Sequence, residues 1–173
     1  MQFELSEALQ ILEKTPTVIR MILGDLNDKW IYSDEGQDTW SPYDIVGHYV
    51  EAEKTNWIPR MNIILSRNPD KRFKPFDRFA QLNNQKETLE FRLSEFEKLR
   101  SENIILLEDA DIDEVKLGLT GIHPEFGEVS LKELIATWVV HDLGHIGQIS
   151  RVMAKQYKKA MGPWSAYISI VNK

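Results

Sequence analysis

Residues 130–152 read SLKELIATWVVHDLGHIGQISRV, and the spacing of the apolar positions in this stretch decides the fold class. Leu134, Trp138, His141, His145, Gln148 and Val152 follow one another at intervals of 4, 3, 4, 3 and 4 residues. That is the inward seam of a bundle helix, flanked here by Ile135, Val139, Ile146, Ile149 and Met153. Ser130 and Glu133 have the spacing of a capping box, so the helix opens at Ser130. It should persist to about Lys158, with Gly162 and Pro163 as stop signals. The middle of the seam is polar where leucine is expected. Positions four apart on a helix differ by about 40° and about 6 Å of rise, so His141 and His145 can converge on one ion. A buried imidazole without a partner costs roughly 1–3 kcal/mol, which a shared ion would remove for both rings.

Three further helices are expected. One runs from near Ser6 to about Leu26, and Pro16 should break or kink it. The stretch NDKWIYSDEGQDTW (residues 27–40) has no steady period and reads as a loop. A second helix starts sharply at SPYD, with Ser41 as N-cap, Pro42 in the first turn and Asp44 behind it. It should continue to about Ser66, kinked or stopped near Pro59. A third extends from about Asn84 to Leu107, with Leu89, Leu93, Phe96, Leu99 and Ile104 inward and a face of Glu, Lys and Arg outward. Residues 108–129, rich in acids and glycine, read as an irregular connection with a short β-like piece. Strand signals are otherwise weak, so the pattern predicts an all-α helical bundle in one domain over residues 1–173. Periodicity does not fix the order of its helices.

In the second helix, DIVGHYVEAE places His48 on the side of Ile45 and Ala52, facing inward if those two are core. Asp44 and Glu51 lie four residues before it and three after, where either carboxylate could orient its ring or serve as a base. Three of the four histidines thus fall on inner faces. Three nitrogen ligands with an open position suit a reactive metal rather than a closed structural site. His123, in a loop beside Pro124, is the reserve ligand. Ligating imidazoles must be neutral, so affinity should weaken as the pH drops through about 6.5.

Composition supports this frame. The 173 residues carry a net charge of -6, which would repel a polyanion, so nucleic acid is not an expected partner. There is no cysteine, which excludes disulfides, thiolate metal sites and a cysteine nucleophile. No secretory signal or transmembrane run is read, and a cytoplasmic protein with no membrane partner is expected. The chain length leaves room for a homodimer. HDLGH is not the zinc-protease H-E-x-x-H, because Asp142 replaces the general base; Asp142 reads better as an inter-helix hydrogen-bonding group. An HD phosphohydrolase site would need more histidines. Trp40, Trp57, Trp138 and Trp164 read as core or pocket lining, and EDADIDE as a solvated loop without calcium-binding spacing.

Three stretches, TWSPYDIVGHYVEAEKTNWIPR, GIHPEFGEVSLKELIATWVVHDLGHIGQISRVMAKQY and MGPW, together resemble the DinB-like, or YfiT-like, metal-dependent hydrolase family. The resemblance covers nearly the whole chain and is least distinctive between about Ser66 and Gly118. It implies an up-and-down four-helix bundle holding a divalent ion, zinc or nickel, through His48, His141 and His145. Relatives of this type include thiol-dependent transferases and isomerases. The expectation is a metal-dependent enzyme acting on a small-molecule substrate, as a hydrolase or as an S-transferase or isomerase using a low-molecular-weight thiol. The competing classes are a metal or small-ligand binding or sensor module without turnover, and a structural bundle with packed histidines.

Overall fold

Local signals set the helix starts. In the computed structural model, which describes residues 2–83 and 86–172, Ser41 and Asp44 form both halves of a capping box on helix α3 (Pro42–Thr55). Ser130 and Glu133 do the same for α7 (Leu131–Gln156). The other long helices are α1 (Leu5–Leu23), α4 (Trp57–Leu65), which continues α3, and α5 (Leu89–Asp109). The expected start of the third helix at Asn84 lies outside the described residues; the helix is capped by Thr88, whose side chain accepts from the Phe91 amide. The stretch read as a loop contains a short helix, α2 (Asp28–Tyr32), capped by Asn27. Its single turn is too short to show a period.

Two prolines behave differently. The break near Pro59 falls at Asn56, so Pro59 sits in the first turn of α4, where a missing N–H costs nothing. Pro16 does not break α1. A proline at position 16 leaves the carbonyl of Leu12 without its helical donor. Here Arg100 Nη1 donates to that oxygen at 2.7 Å, so a side chain of α5 replaces the lost amide.

The β-like piece is a hairpin of β1 (Thr120–His123) and β2 (Gly127–Ser130), preceded by the short helix α6 (Glu114–Leu117). Its register pairs Thr120 with Ser130 and His123 with Gly127. Ile122 also bonds the chain at residues 71–73 through both its N–H and its carbonyl, each at 2.9 Å. A Cβ on Gly121 would collide with the Phe73 ring, so only glycine lets Phe73 lie against the hairpin.

Helices α5 and α7 each pack against both α1 and α3, closing the four-helix bundle. The core falls into two apolar halves. One holds Leu12, Trp57, Ile58, Ile104, Leu107, Leu134 and Trp138; the other holds Ile19, Leu23, Ile45, Tyr49, Leu93, Phe96, Ile149 and Val152. Each buried aliphatic or aromatic side chain contributes about 1.5–3 kcal/mol. Helices α1 and α7 run from the first half to the second, and α3 and α5 run the other way. Because α3 and α5 are parallel, the connection after α4 must travel back along the bundle, and residues 66–83 do so as a strap. No described helix is long and apolar enough to cross a membrane.

Candidate metal centre

Between the two apolar halves lies a polar layer. Its deepest part is ionic. Arg100 donates to Asp142 through Nη1 (2.6 Å) and Nη2 (3.1 Å). It also donates to Glu53 Oε1 through Nε (3.1 Å) and Nη2 (2.7 Å). Asn103 donates to Glu53 Oε2 at 2.8 Å, and the Trp138 indole to Oε1 at 3.2 Å. Glu53, Arg100 and Asp142 are all at most 2% exposed. Burial alone would raise the Asp142 pKa, but the neighbouring His141 ring and the Arg100 guanidinium hold it below the usual carboxylate range. The two carboxylates conversely outweigh burial and raise the pKa of Arg100. The inter-helix role expected of Asp142 is therefore filled. Arg100, Glu53 and Asn103 were not singled out from the sequence.

Above this layer three imidazoles meet. His48 is buried at 5% exposure, and His141 and His145 are partly buried. Among the described residues they form a single group of ligating side chains, with one nitrogen of each within 4.8 Å of the others. His48 Nε2 and His141 Nε2 are 3.1 Å apart. His145 Nδ1 bonds Gln148 Oε1 at 2.7 Å. An amide oxygen only accepts, so Nδ1 carries the proton and Nε2 keeps its lone pair. Without an ion, one Nε2–H could satisfy only one of its two neighbours. A divalent cation would accept all three lone pairs, and 3.1 Å fits two nitrogens each about 2.0–2.1 Å from one ion. His48 Nδ1 and His141 Nδ1 are buried without a hydrogen-bond partner; the latter lies 3.7 Å from Asp142 Oδ1. The donor set thus fits a nitrogen-loving divalent ion. Gln148→Leu is expected to lower metal affinity about 10- to 100-fold, as loss of a ring-orienting partner does elsewhere, measured by competition with a chromophoric chelator.

Aromatic rings wall the cluster. Trp40 lies 4.8 Å from His48 between centroids, Phe76 lies 5.5 Å from the same ring, and Trp57 lies 5.1 Å from His141. Tyr49 approaches both His141 and His145, and its hydroxyl donates to the Asp142 carbonyl at 2.7 Å. Trp138 is core, stacked on Trp57 at 5.5 Å, whereas Trp164 is 72% exposed.

The remaining candidates lie apart from this group. Asp44 accepts from the Ser41 amide (3.1 Å) and hydroxyl (2.6 Å), holding the first turn of α3. Glu51 lines a small cavity with Gly47, Lys54 and Arg92. His123 ends β1, where its Nδ1 accepts from the amides of Glu125 (3.2 Å) and Phe126 (3.3 Å) and its ring stacks on Phe126.

Burial, with the neighbouring His145 and His141, lowers the His48 pKa to about 3. Burial and His141 lower that of His145 to about 4. Both rings are therefore neutral at physiological pH, and their proton competition with a metal moves well below the 6.5 expected from an exposed imidazole. The same shifts act on folding. Between about 6.5 and 4 the unfolded chain binds more protons at these rings than the folded one. Stability of the metal-free protein is thus fully present above about 6.5 and falls on acidification, by up to about 1.4 kcal/mol per pH unit for each ring. Urea denaturation at pH 7 and pH 5 measures this. His48→Gln should flatten the slope, and equal stabilities of the parent at both pH values would contradict the assignment.

The DinB superfamily model matches residues 11–149. A protein of Oceanobacillus iheyensis named "Putative metal-dependent hydrolase" is 23% identical over 154 residues, covering 88% of this chain and 87% of its own. A Bacillus cereus protein of the same name is 24% identical over 144 residues, covering 82% and 81%. The solved structure of YfiT from Bacillus subtilis, described as a probable metal-dependent hydrolase with an unusual four-helix bundle topology, aligns at a TM-score of 0.73 and 16% identity. That alignment covers 91% of this chain and 87% of YfiT. With the family model spanning most of the bundle and its histidine cluster, the chain belongs to the DinB superfamily.

Proposed function

We propose that this protein is a divalent-metal-dependent hydrolase acting on a small molecule, with zinc or nickel held by His48, His141 and His145. The observation that carries the reading is the convergence of three imidazoles, one with its tautomer set by Gln148, among the rings of Trp40, Tyr49, Trp57 and Phe76. A divalent ion there would lower the pKa of a bound water or thiol and polarise an acceptor. The protein's own contribution is to keep His48 and His145 unprotonated, orient the rings and restrict water with the aromatic wall. A thiol-dependent S-transferase or isomerase would use the same site, and with no cysteine in the chain the thiol would come from a cosubstrate.

Metal analysis of protein purified without a histidine tag tests the site. One divalent ion per chain is expected. Absence of metal, with added zinc or nickel neither binding nor raising Tm, would remove the proposal. A parallel screen of ester and amide hydrolysis and of thiol transfer to electrophiles separates the two reactions. Glu51 and Asp44 are carried as base or ring orienter. Glu51→Gln that keeps the metal and loses turnover would make Glu51 the base, while unchanged turnover would release it. Asp44→Asn should act chiefly on stability, by about 1 kcal/mol through the cap, and a turnover loss at full stability would instead give it a part in the chemistry.

A further inference from the structure

The ionic layer and the histidine cluster meet at one pair of atoms. His141 turns its ring nitrogens to different neighbours: Nε2 stands 3.1 Å from His48 Nε2, while Nδ1 is buried without a hydrogen-bond partner and lies 3.7 Å from Asp142 Oδ1. Asp142 itself is held at both ends. Its carboxylate takes Nη1 and Nη2 of Arg100, its carbonyl takes the Tyr49 hydroxyl, and it is 0% exposed. Each oxygen of a carboxylate offers about two acceptor sites. Oδ1, which takes Arg100 Nη2 at 3.1 Å, therefore keeps room for a second donor. The gap to Nδ1 is too long for a hydrogen bond, and a small rotation of the imidazole closes it.

Charge points the same way. Glu53 and Asp142 set two carboxylates against the one guanidinium of Arg100, so the layer holds a surplus negative charge beside the cluster. Three neutral imidazoles would bring none to a divalent ion. We infer that Asp142 is a positioning residue of the metal centre: its Oδ1 accepts from His141 Nδ1–H and leaves the Nε2 lone pair for the ion, as Gln148 does for His145. A carboxylate in this place fixes the tautomer and makes the imidazole a stronger donor to the ion. Arg100 limits the effect. By drawing on both oxygens of Asp142 with charge-assisted bonds, it keeps that carboxylate a weak base, so the proton stays on the ring. The inference rests on the metal-site reading above and joins the ionic layer to it.

NMR of zinc-loaded protein carrying nitrogen-labelled histidine tests it. The expected spectrum has His141 bound through Nε2, with a protonated Nδ1 whose hydrogen resonates at low field and exchanges slowly with water. Asp142→Asn should erase that signal. Its single oxygen is claimed by Arg100 and its amide N–H then faces Nδ1, which favours the tautomer protonated at Nε2, the atom that meets the ion. Zinc affinity, measured by chelator competition, should fall about 10- to 100-fold. Glu53→Gln removes the same charge from the layer without touching the ring, so it should keep the signal and cost less affinity than Asp142→Asn. Zinc on His141 Nδ1 in the parent, a His141 signal unchanged in D142N, or equal losses of affinity in E53Q and D142N would overturn the inference and leave the three-histidine site standing. The parent spectrum needs no variant, so it decides even if Asp142→Asn does not fold. A parent that binds no zinc would bring down both readings.

Discussion

Arg100→Met is expected to destabilise the fold by about 3–5 kcal/mol, the range for breaking a buried ion pair by removing one partner. The change strands Glu53 and Asp142, both at most 2% exposed, without their shared guanidinium. It also removes the donor to the Leu12 carbonyl. Such a loss is a large fraction of the stability of an ordinary domain, so urea denaturation should show an early transition or no folded baseline. Should the single variant not fold, the triple change Arg100→Met, Glu53→Gln and Asp142→Asn keeps the question answerable, because no charge is then left unpaired. It should recover much of the loss, and a triple variant no more stable than the single one would show that packing, and not charge, governs this layer. Arg100→Lys should fall between, since an ammonium cannot reproduce the fork that spans two carboxylates and a carbonyl.

The second large effect concerns the ion. His48→Ala, His141→Ala and His145→Ala should each reduce zinc or nickel affinity by more than about 100-fold, beyond the 10- to 100-fold typical of losing only a ring-orienting partner. His123→Ala should leave affinity unchanged, since its Nδ1 is engaged within the hairpin turn. Isothermal titration measures the affinities. Thermal melts give a second readout: metal at about 100 times Kd stabilises the parent by about 2.7 kcal/mol, and that gain should vanish in the three variants alone. Equal losses in all four would mean that the histidines act on folding and not on a common ion.

What could be read in the sequence was local. Ser41 with Asp44 and Ser130 with Glu133 announce their helices because a cap is made within four residues. The histidine cluster was legible for a related reason: His141, His145 and Gln148 share a seam at helical spacing, and His48 declares its side through Ile45 and Ala52. The ionic layer was hidden because its partners are remote in the chain, Arg100 lying 47 residues from Glu53 and 42 from Asp142. On α5, Arg92 and Arg100 look like members of a solvated face, yet both are 1% exposed. The parallel course of α3 and α5 was likewise beyond periodicity, which reports which side of a helix is inward and not its direction. The strap that follows from that course, with Phe76 against His48, could not be assigned to the site for the same reason.

The guanidinium that stands in for an amide has a bearing on how this chain assembles. Arg100, on a helix that begins at Leu89, supplies the donor that Pro16 lacks, so the hydrogen bonding of α1 is complete only with α5 in place. Before α5 docks, the Leu12 carbonyl has no partner but water, and the first helix is two short segments joined at a proline, each below the length at which an isolated helix holds together. Completion of α1 is thus a tertiary event, and the same guanidinium that finishes it closes the ion-paired layer beside the histidines.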